Sequence, residues 1–246
     1  MTQLTLLDHC LAVLLAVVLP IGGFLSMRTL RRRIDAGFSH TTRVRDYRNN
    51  MLVMWAVTAA AVALWLLSGR AFSDLGIAWF DAEAGPLLLA LLLAAGLVAI
   101  NLYLYVRVLR SDAAAEGLLR QTRRFDFVLP RTRRELHWFY AVSVTAGVTE
   151  EILYRGFMIT YLLAYLSLPA AVVVSSLVFA SAHVYQGAGG TSRAFTIALV
   201  LAAIYLLSGS ILLAALAHVL LDAISGRMIF LSYNRTPPTA TPQEAC

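Results

Sequence analysis

Long apolar stretches separated by short polar ones make up most of the chain. Crossing a hydrocarbon core takes about 20 helical residues, and stretches of that kind lie near 5–27, 51–69 and 85–106. A fourth, "HWFYAVSVTAGVTEEILYRGFMITYLLAYL" over 137–166, is too long for one perpendicular span. Its length predicts a tilt, a break near Gly156, or a start along the membrane surface. After the turn signal "SLPA", a fifth span is expected over 169–185 and "YQGAGGTSR" is expected to form a loop. Spans near 194–208 and 211–229 follow, with Ser208-Gly209-Ser210 between them. The pattern predicts an all-α, polytopic transmembrane helix bundle of about seven spans, without an internal repeat.

Composition agrees. Of 246 residues, 59% are hydrophobic and 14% charged, and the mean hydropathy of +0.73 lies outside the range of ordinary soluble domains. All 20 basic residues are arginines: seven lie between Arg28 and Arg48, and eight between Arg107 and Arg134. A nucleic-acid footprint also clusters arginine, but on a soluble fold with base-stacking aromatics, so no nucleic-acid partner is expected. The positive-inside rule instead makes both basic loops cytoplasmic. The segment 70–84 carries Asp74, Asp81 and Glu83 against one arginine and suits the outer side. Alternation over seven spans then leaves the carboxyl terminus inside. The amino-terminal run lacks a basic n-region and a clear small-residue cleavage site, so a retained first span is expected rather than a signal peptide. Cys10 and Cys246 give neither a disulfide framework nor a zinc spacing.

Three parts follow from this reading: residues 1–136, amino-terminal transmembrane helices with two basic cytoplasmic loops; 137–230, a core in the last four spans; and 231–246, a tail whose "TPPTATPQEAC" is expected to be disordered.

A charge at the centre of a membrane helix costs about 2.5–3.5 kcal/mol on insertion scales, so it is paired, functional or both. Such residues gather in the last four spans: Glu150, Glu151 and Arg155, then His183, then His218 and Asp222. The first three spans hold chiefly Asp8 and His9 near an end, and Asn101. Glu151 and Arg155 are four apart with the acid first, the favourable order for a structural ion pair. Glu150 is rotated about 100° from its neighbour and needs another partner. His218 and Asp222 are also four apart and share a face. His183 follows Phe179 by one turn, so an aromatic ring can lean on the imidazole. Taken singly, each histidine reads as a packing residue. Taken with Glu150, which has no partner on its own helix, they read as a site in the inner half of the bilayer. Tyr154, Ser175, Ser176 and Ser181 read as packing or backbone-bonding residues.

A carboxylate in a low-dielectric cavity holds a proton more tightly than in water, as a general base for water requires. Glu150 suits that role, with His183 orienting the water and His218 and Asp222 stabilising an oxyanion. Asp222 would have to be protonated to donate, or else act by orienting His218. A metal alternative uses the same types: His183, His218 and Asp222 or Glu150 as zinc ligands, with the remaining glutamate as base. There is no HExxH to favour it, and no GxSxG to favour a serine enzyme.

"EEILYR" (Glu150, Glu151, Arg155), "FASAH" (Phe179 to His183) and "HVLLD" (His218 to Asp222), in this order on successive apolar segments, resemble the three motifs of the CPBP family. These are the CAAX prenyl protease 2 or Abi-type intramembrane endopeptidases, relatives of the Ras-converting enzyme. The resemblance covers roughly 137–230. It implies a helical intramembrane protease in which Glu150, helped by His183, activates water, and His218 and Asp222 line the oxyanion site. It also implies a membrane-associated polypeptide substrate. The family is described both as metal-dependent and as glutamate-dependent, so either no cofactor or zinc is implied. Asp222 departs from the asparagine of the eukaryotic prenyl proteases, as in many bacterial members. Nothing in the residues selects a CAAX substrate over a sorting signal or a bacteriocin. A bacterial inner-membrane location is expected. A non-catalytic immunity or binding protein, or a small transporter, is the reading from another class.

Overall fold

The computed structural model describes residues 4–37, 40–80 and 82–235, leaving aside the side chains at 40 and 41. Asp81, Cys246 and the expected tail from 236 onward lie outside the described residues.

The described residues are all-helical. Helix α1 (Leu6–Asp35) is followed by α2 (His40–Leu67), α3 (Ala84–Arg110) and the short α4 (Asp112–Thr122). Then come α5 (133–162), α6 (Leu168–Ser181), α7 (Gly187–Ser208) and α8 (Ile211–Arg235). Five of them, α1, α2, α3, α7 (extended back to Val184) and α8, are long and apolar enough to cross a membrane. Helix α5 is long enough but carries the charged cluster, and α6 is apolar but short. Large apolar side chains such as Leu88, Leu92, Ile100 and Leu216 point outward. A solvated surface would not hold them, whereas acyl chains do. The protein is an integral membrane protein.

Local signals set the helix ends. Thr5 and Asp8 form a capping box at the start of α1, and Thr132 with Glu135 forms another at the start of α5. Ser111 caps α4 through the Ala114 amide. Gly209, at φ 67°, closes α7 in the left-handed conformation that a side chain resists. Glu135, fully buried, also pairs with Arg43 of α2 at 3.3 Å, while the Arg43 Nε donates to the Phe127 carbonyl at 2.9 Å. The lower end of α5 is thereby locked to α2 and to the loop before it.

Three expectations about the elements change. Helix α5 is not broken at Gly156: it runs on through a wide π-type segment, Glu151–Met158, every residue of which is buried. Gly156 instead permits a close approach, since an added Cβ would lie 2.5 Å from the Leu75 carbonyl oxygen. "GAGGTSR" is helical, forming the first two turns of α7, and only Val184–Gln186 turn between α6 and α7. Helix α8 continues to Arg235, five residues into the segment expected to be a tail. Arg235 holds there by pairing with Asp112 at 2.9 Å.

Helix α8 packs chiefly on α5 and α3, and α5 also packs on α2. Gly147 lets α5 and α8 meet at backbone distance: a Cβ there would lie 2.9 Å from the Val219 nitrogen and 3.1 Å from the Ala215 oxygen. Asn101 of α3 reaches the Leu221 carbonyl and Ser225 of α8 at 3.4 and 3.3 Å. At the end of the bundle away from the arginine-rich loops, Trp65, Leu75, Phe157 and Leu153 form a buried cluster. Asp8 pairs with Arg70 at 2.6 Å beside it, and His9 meets Tyr161 at 2.9 Å. These contacts place α5 and α8 side by side at mid-bundle.

Candidate active site

The backbone contact at Gly147 brings the following turn of α5 against His218. Glu151 is fully buried there, and its Oε1 meets two partners: the Arg155 guanidinium at 2.9 Å and the His218 Nδ1 at 2.8 Å. A carboxylate beside a guanidinium accepts hydrogen bonds, so the proton at that contact lies on His218 Nδ1. Arg155 also donates to the Ala198 carbonyl at 3.1 Å and lies over the Phe179 ring at 4.9 Å. The pair expected from the i,i+4 spacing is therefore one part of a chain, Ala198–Arg155–Glu151–His218, that ties α7, α5 and α8 together.

With Nδ1 held, the Nε2 of His218 points away from Glu151 and lies 3.8 Å from both Glu150 and Asp222. That distance is too long for a direct hydrogen bond and suits a bridging water or substrate atom. The side chain of Glu150 is 19% exposed and that of Asp222 42%, against 0% for Glu151. Of the two adjacent glutamates, Glu150 is the one that a molecule in the cavity can touch.

His183 sits beyond the end of α6 rather than inside a span. Helix α6 has 14 residues, about 21 Å of helix, so the chain turns back before it has crossed a hydrocarbon core of about 30 Å. His183 occupies that turn at φ −102°, ψ 8°, where irregular backbone is tolerated because it lines a cavity. Its Nδ1 is 3.1 Å from the Phe179 carbonyl. A carbonyl only accepts, so Nδ1 carries the hydrogen and Nε2 is left as an acceptor. Phe179 leans on this ring at 4.7 Å and stands edge-on to His218 at 6.1 Å. One aromatic ring thus orients both histidines.

Glu150, His183, His218 and Asp222 line one cavity of about 320 Å³. Its walls also include residues that the sequence reading did not single out: Asp46, Tyr47 and Asn50 of α2, Tyr185 and Gln186 of the turn, and Arg193 of α7. For α2 the clue was there, since Tyr47, Asn50 and Met54 are spaced as one helix face; the surrounding arginines masked it. Ser175 donates to the Tyr154 carbonyl at 2.8 Å and Ser181 to the Val178 carbonyl at 2.6 Å.

The zinc alternative meets a geometric difficulty. Among the described residues, no group of three or more His, Cys, Asp or Glu side chains is placed to hold a metal ion. The Nδ1 atoms of both histidines are engaged by protein acceptors, which leaves each Nε2 to face the cavity.

Residues 132–224 match the family model described as type II CAAX prenyl endopeptidase, Rce1-like. No curated protein and no solved structure matches the chain. The matched segment starts at the cap of α5 and ends two residues beyond Asp222, so it contains all four cavity-lining ionisable residues expected from the motifs. Residues 132–224 are thus similar to an Rce1-like type II CAAX prenyl endopeptidase domain, consistent with the CPBP proteases, and lie within an integral membrane protein.

Proposed function

We propose that the protein is an intramembrane endopeptidase that hydrolyses a peptide bond of a membrane-associated polypeptide with water activated by Glu150. The observation that carries this reading is the contrast within one pair of glutamates: Glu151 is sealed between Arg155 and His218, while Glu150 opens into a cavity shared with His183, His218 and Asp222.

A water between Glu150 and His183 gives one proton to Glu150 and holds its other hydrogen toward His183 Nε2, while its oxygen attacks the scissile carbonyl carbon. The carbonyl oxygen gains the negative charge. His218 Nε2 donates to it when the ring carries both protons, and Asp222 donates when it is in the acid form. Glu150 then returns the proton to the departing nitrogen, the C–N bond breaks, and a carboxylic acid and an amine leave.

The same cavity speaks against a carrier. It is lined from the half of the bundle nearer the arginine-rich loops, whereas the other end is filled by Trp65, Leu75 and Phe157. A transport path would have to cross that cluster. The bacterial inner membrane, with the arginine-rich loops and the carboxyl terminus in the cytoplasm, is the location that goes with this reading.

The test uses the protein in lipid nanodiscs with quenched-fluorescence membrane peptides, among them a prenylated CAAX-type peptide as the family's description suggests. Glu150→Gln is expected to lower cleavage by about 10²–10⁴-fold, the usual worth of a general base, with an unchanged thermal unfolding profile. Retained cleavage rejects the reading. Loss of wild-type activity on chelation with rescue by zinc would establish the metal mechanism instead.

A further inference from the structure

The stripe of α7 that faces the cavity begins in the turn at Gln186 and continues through Gly190, Arg193, Ala194 and Ile197, a spacing that keeps them on one side of a helix. Arg193 falls in the expected loop by its sequence context but lies in the second turn of a helix long and apolar enough to span the membrane. It is the one arginine of the described chain that lines the cavity. Other arginines buried in the bundle are matched: Arg155 by Glu151, Arg70 by Asp8, Arg43 by Glu135. Arg193 has no hydrogen bond, ion pair or ring partner among the described residues and is exposed.

Six residues from Gly187, it stands about 9 Å along the helix. An arginine at such a place is by default a functional residue whose partner has to be found. Besides His183 and His218, the wall carries three carboxylic side chains, Asp46, Glu150 and Asp222, with the Asp46 Oδ2 buried and unpaired. Arg193 is the one permanently charged cation that an anion entering the cavity meets, since the His218 ring is held by Glu151. Gly190 keeps the wall low beside it, for a Cβ there would collide with the Gln186 side chain.

We propose that Arg193 is a specificity-determining residue that receives a carboxylate of the substrate polypeptide and so sets how the chain lies across Glu150. The inference rests on the proteolytic reading of the cavity. The planar guanidinium can grip a carboxylate with two parallel hydrogen bonds, which fixes direction as well as charge. That carboxylate is either the chain's own carboxyl terminus or an aspartate or glutamate side chain.

The experiment offers nanodisc-embedded wild-type, Glu150→Gln, Arg193→Gln and Arg193→Lys proteins a pool of synthetic hydrophobic peptides, with products read by mass spectrometry. Each peptide exists as the free acid, as the carboxyl-terminal amide, and as an amide carrying one acidic side chain. The wild type is expected to cleave at least one carboxylate-bearing form about tenfold faster than the neutral amide, as a charge-assisted contact allows. Which form is favoured identifies the source. Arg193→Gln is expected to erase that preference through KM, with kcat within about threefold, and Arg193→Lys to keep part of it. A wild type without preference, a glutamine variant that retains it, or equal loss on all forms would make Arg193 a residue that merely reaches for the membrane interface, and would overturn the inference alone. Absence of any Glu150-dependent cleavage overturns the proteolytic reading and the inference with it.

Discussion

Glu150 and Glu151 are neighbours in sequence and opposites in surroundings because about 100° separates them around the helix. Glu151 is enclosed by Arg155 and His218, and its role is to hold one imidazole in one tautomer. Removing it leaves the buried Arg155 guanidinium without its counter-charge, a loss of about 3–5 kcal/mol. Glu151→Leu is therefore expected to lower the unfolding free energy in detergent by about that amount. Glu150→Gln should change it by less than about 1 kcal/mol, because that side chain faces a cavity and not a counter-charge. Equal destabilisation by the two variants would remove the distinction between a holding and an accessible glutamate. At this scale the i,i+4 spacings were legible: Glu151 does meet Arg155, and Phe179 does lean on His183. The contact between Glu151 and His218 was not legible, because it joins residues 67 positions apart through a helix crossing that no local pattern encodes.

Helices carry the site by their spacing and their lengths. Gly147 lets α5 and α8 touch one turn below Glu151, and without that approach His218 could not reach the carboxylate. Gly147→Val pushes a branched side chain into the backbone at Val219. Overpacking of this kind costs about 1–3 kcal/mol. The expected outcome is a folded protein whose kcat falls at least tenfold while its thermal midpoint drops by several degrees; wild-type turnover would show that the crossing does not position His218. Apolar length announced the long helices, yet two features misled at this scale. The three glycines of "GAGG" have poor helix propensity and read as a loop, but packing against α6 and the turn holds the segment helical. Helix α6 stops early, so His183 lies in a turn rather than in a span, and the hydropathy of 169–185 does not mark that boundary.

The whole molecule is polar from end to end. One end carries the basic segments Arg28–Arg48 and Arg107–Arg134, the loop before α5 and the cavity; the other carries Asp8 paired to Arg70 and the aromatic cluster around Trp65. Charge asymmetry across a bilayer sets orientation during insertion, and arginines near the ends of spans stay on the cytoplasmic side. In the proposed orientation the cavity and Glu150 are expected to open toward the cytoplasm, with the substrate's cleavable segment presented from that face. Single cysteines placed in a background free of Cys10 and Cys246 can read this. Ser111→Cys, between α3 and α4, is expected to react with an impermeant maleimide only after the cells are opened, while Ser73→Cys, beside Leu75, is expected to react in intact cells. The reverse pattern would turn the cavity mouth outward and require a substrate delivered from the exported side. Labelling of both sites in intact cells would contradict a crossing by α3, and with it the inner-half depth of the four ionisable residues on which glutamate-activated hydrolysis within the bilayer depends.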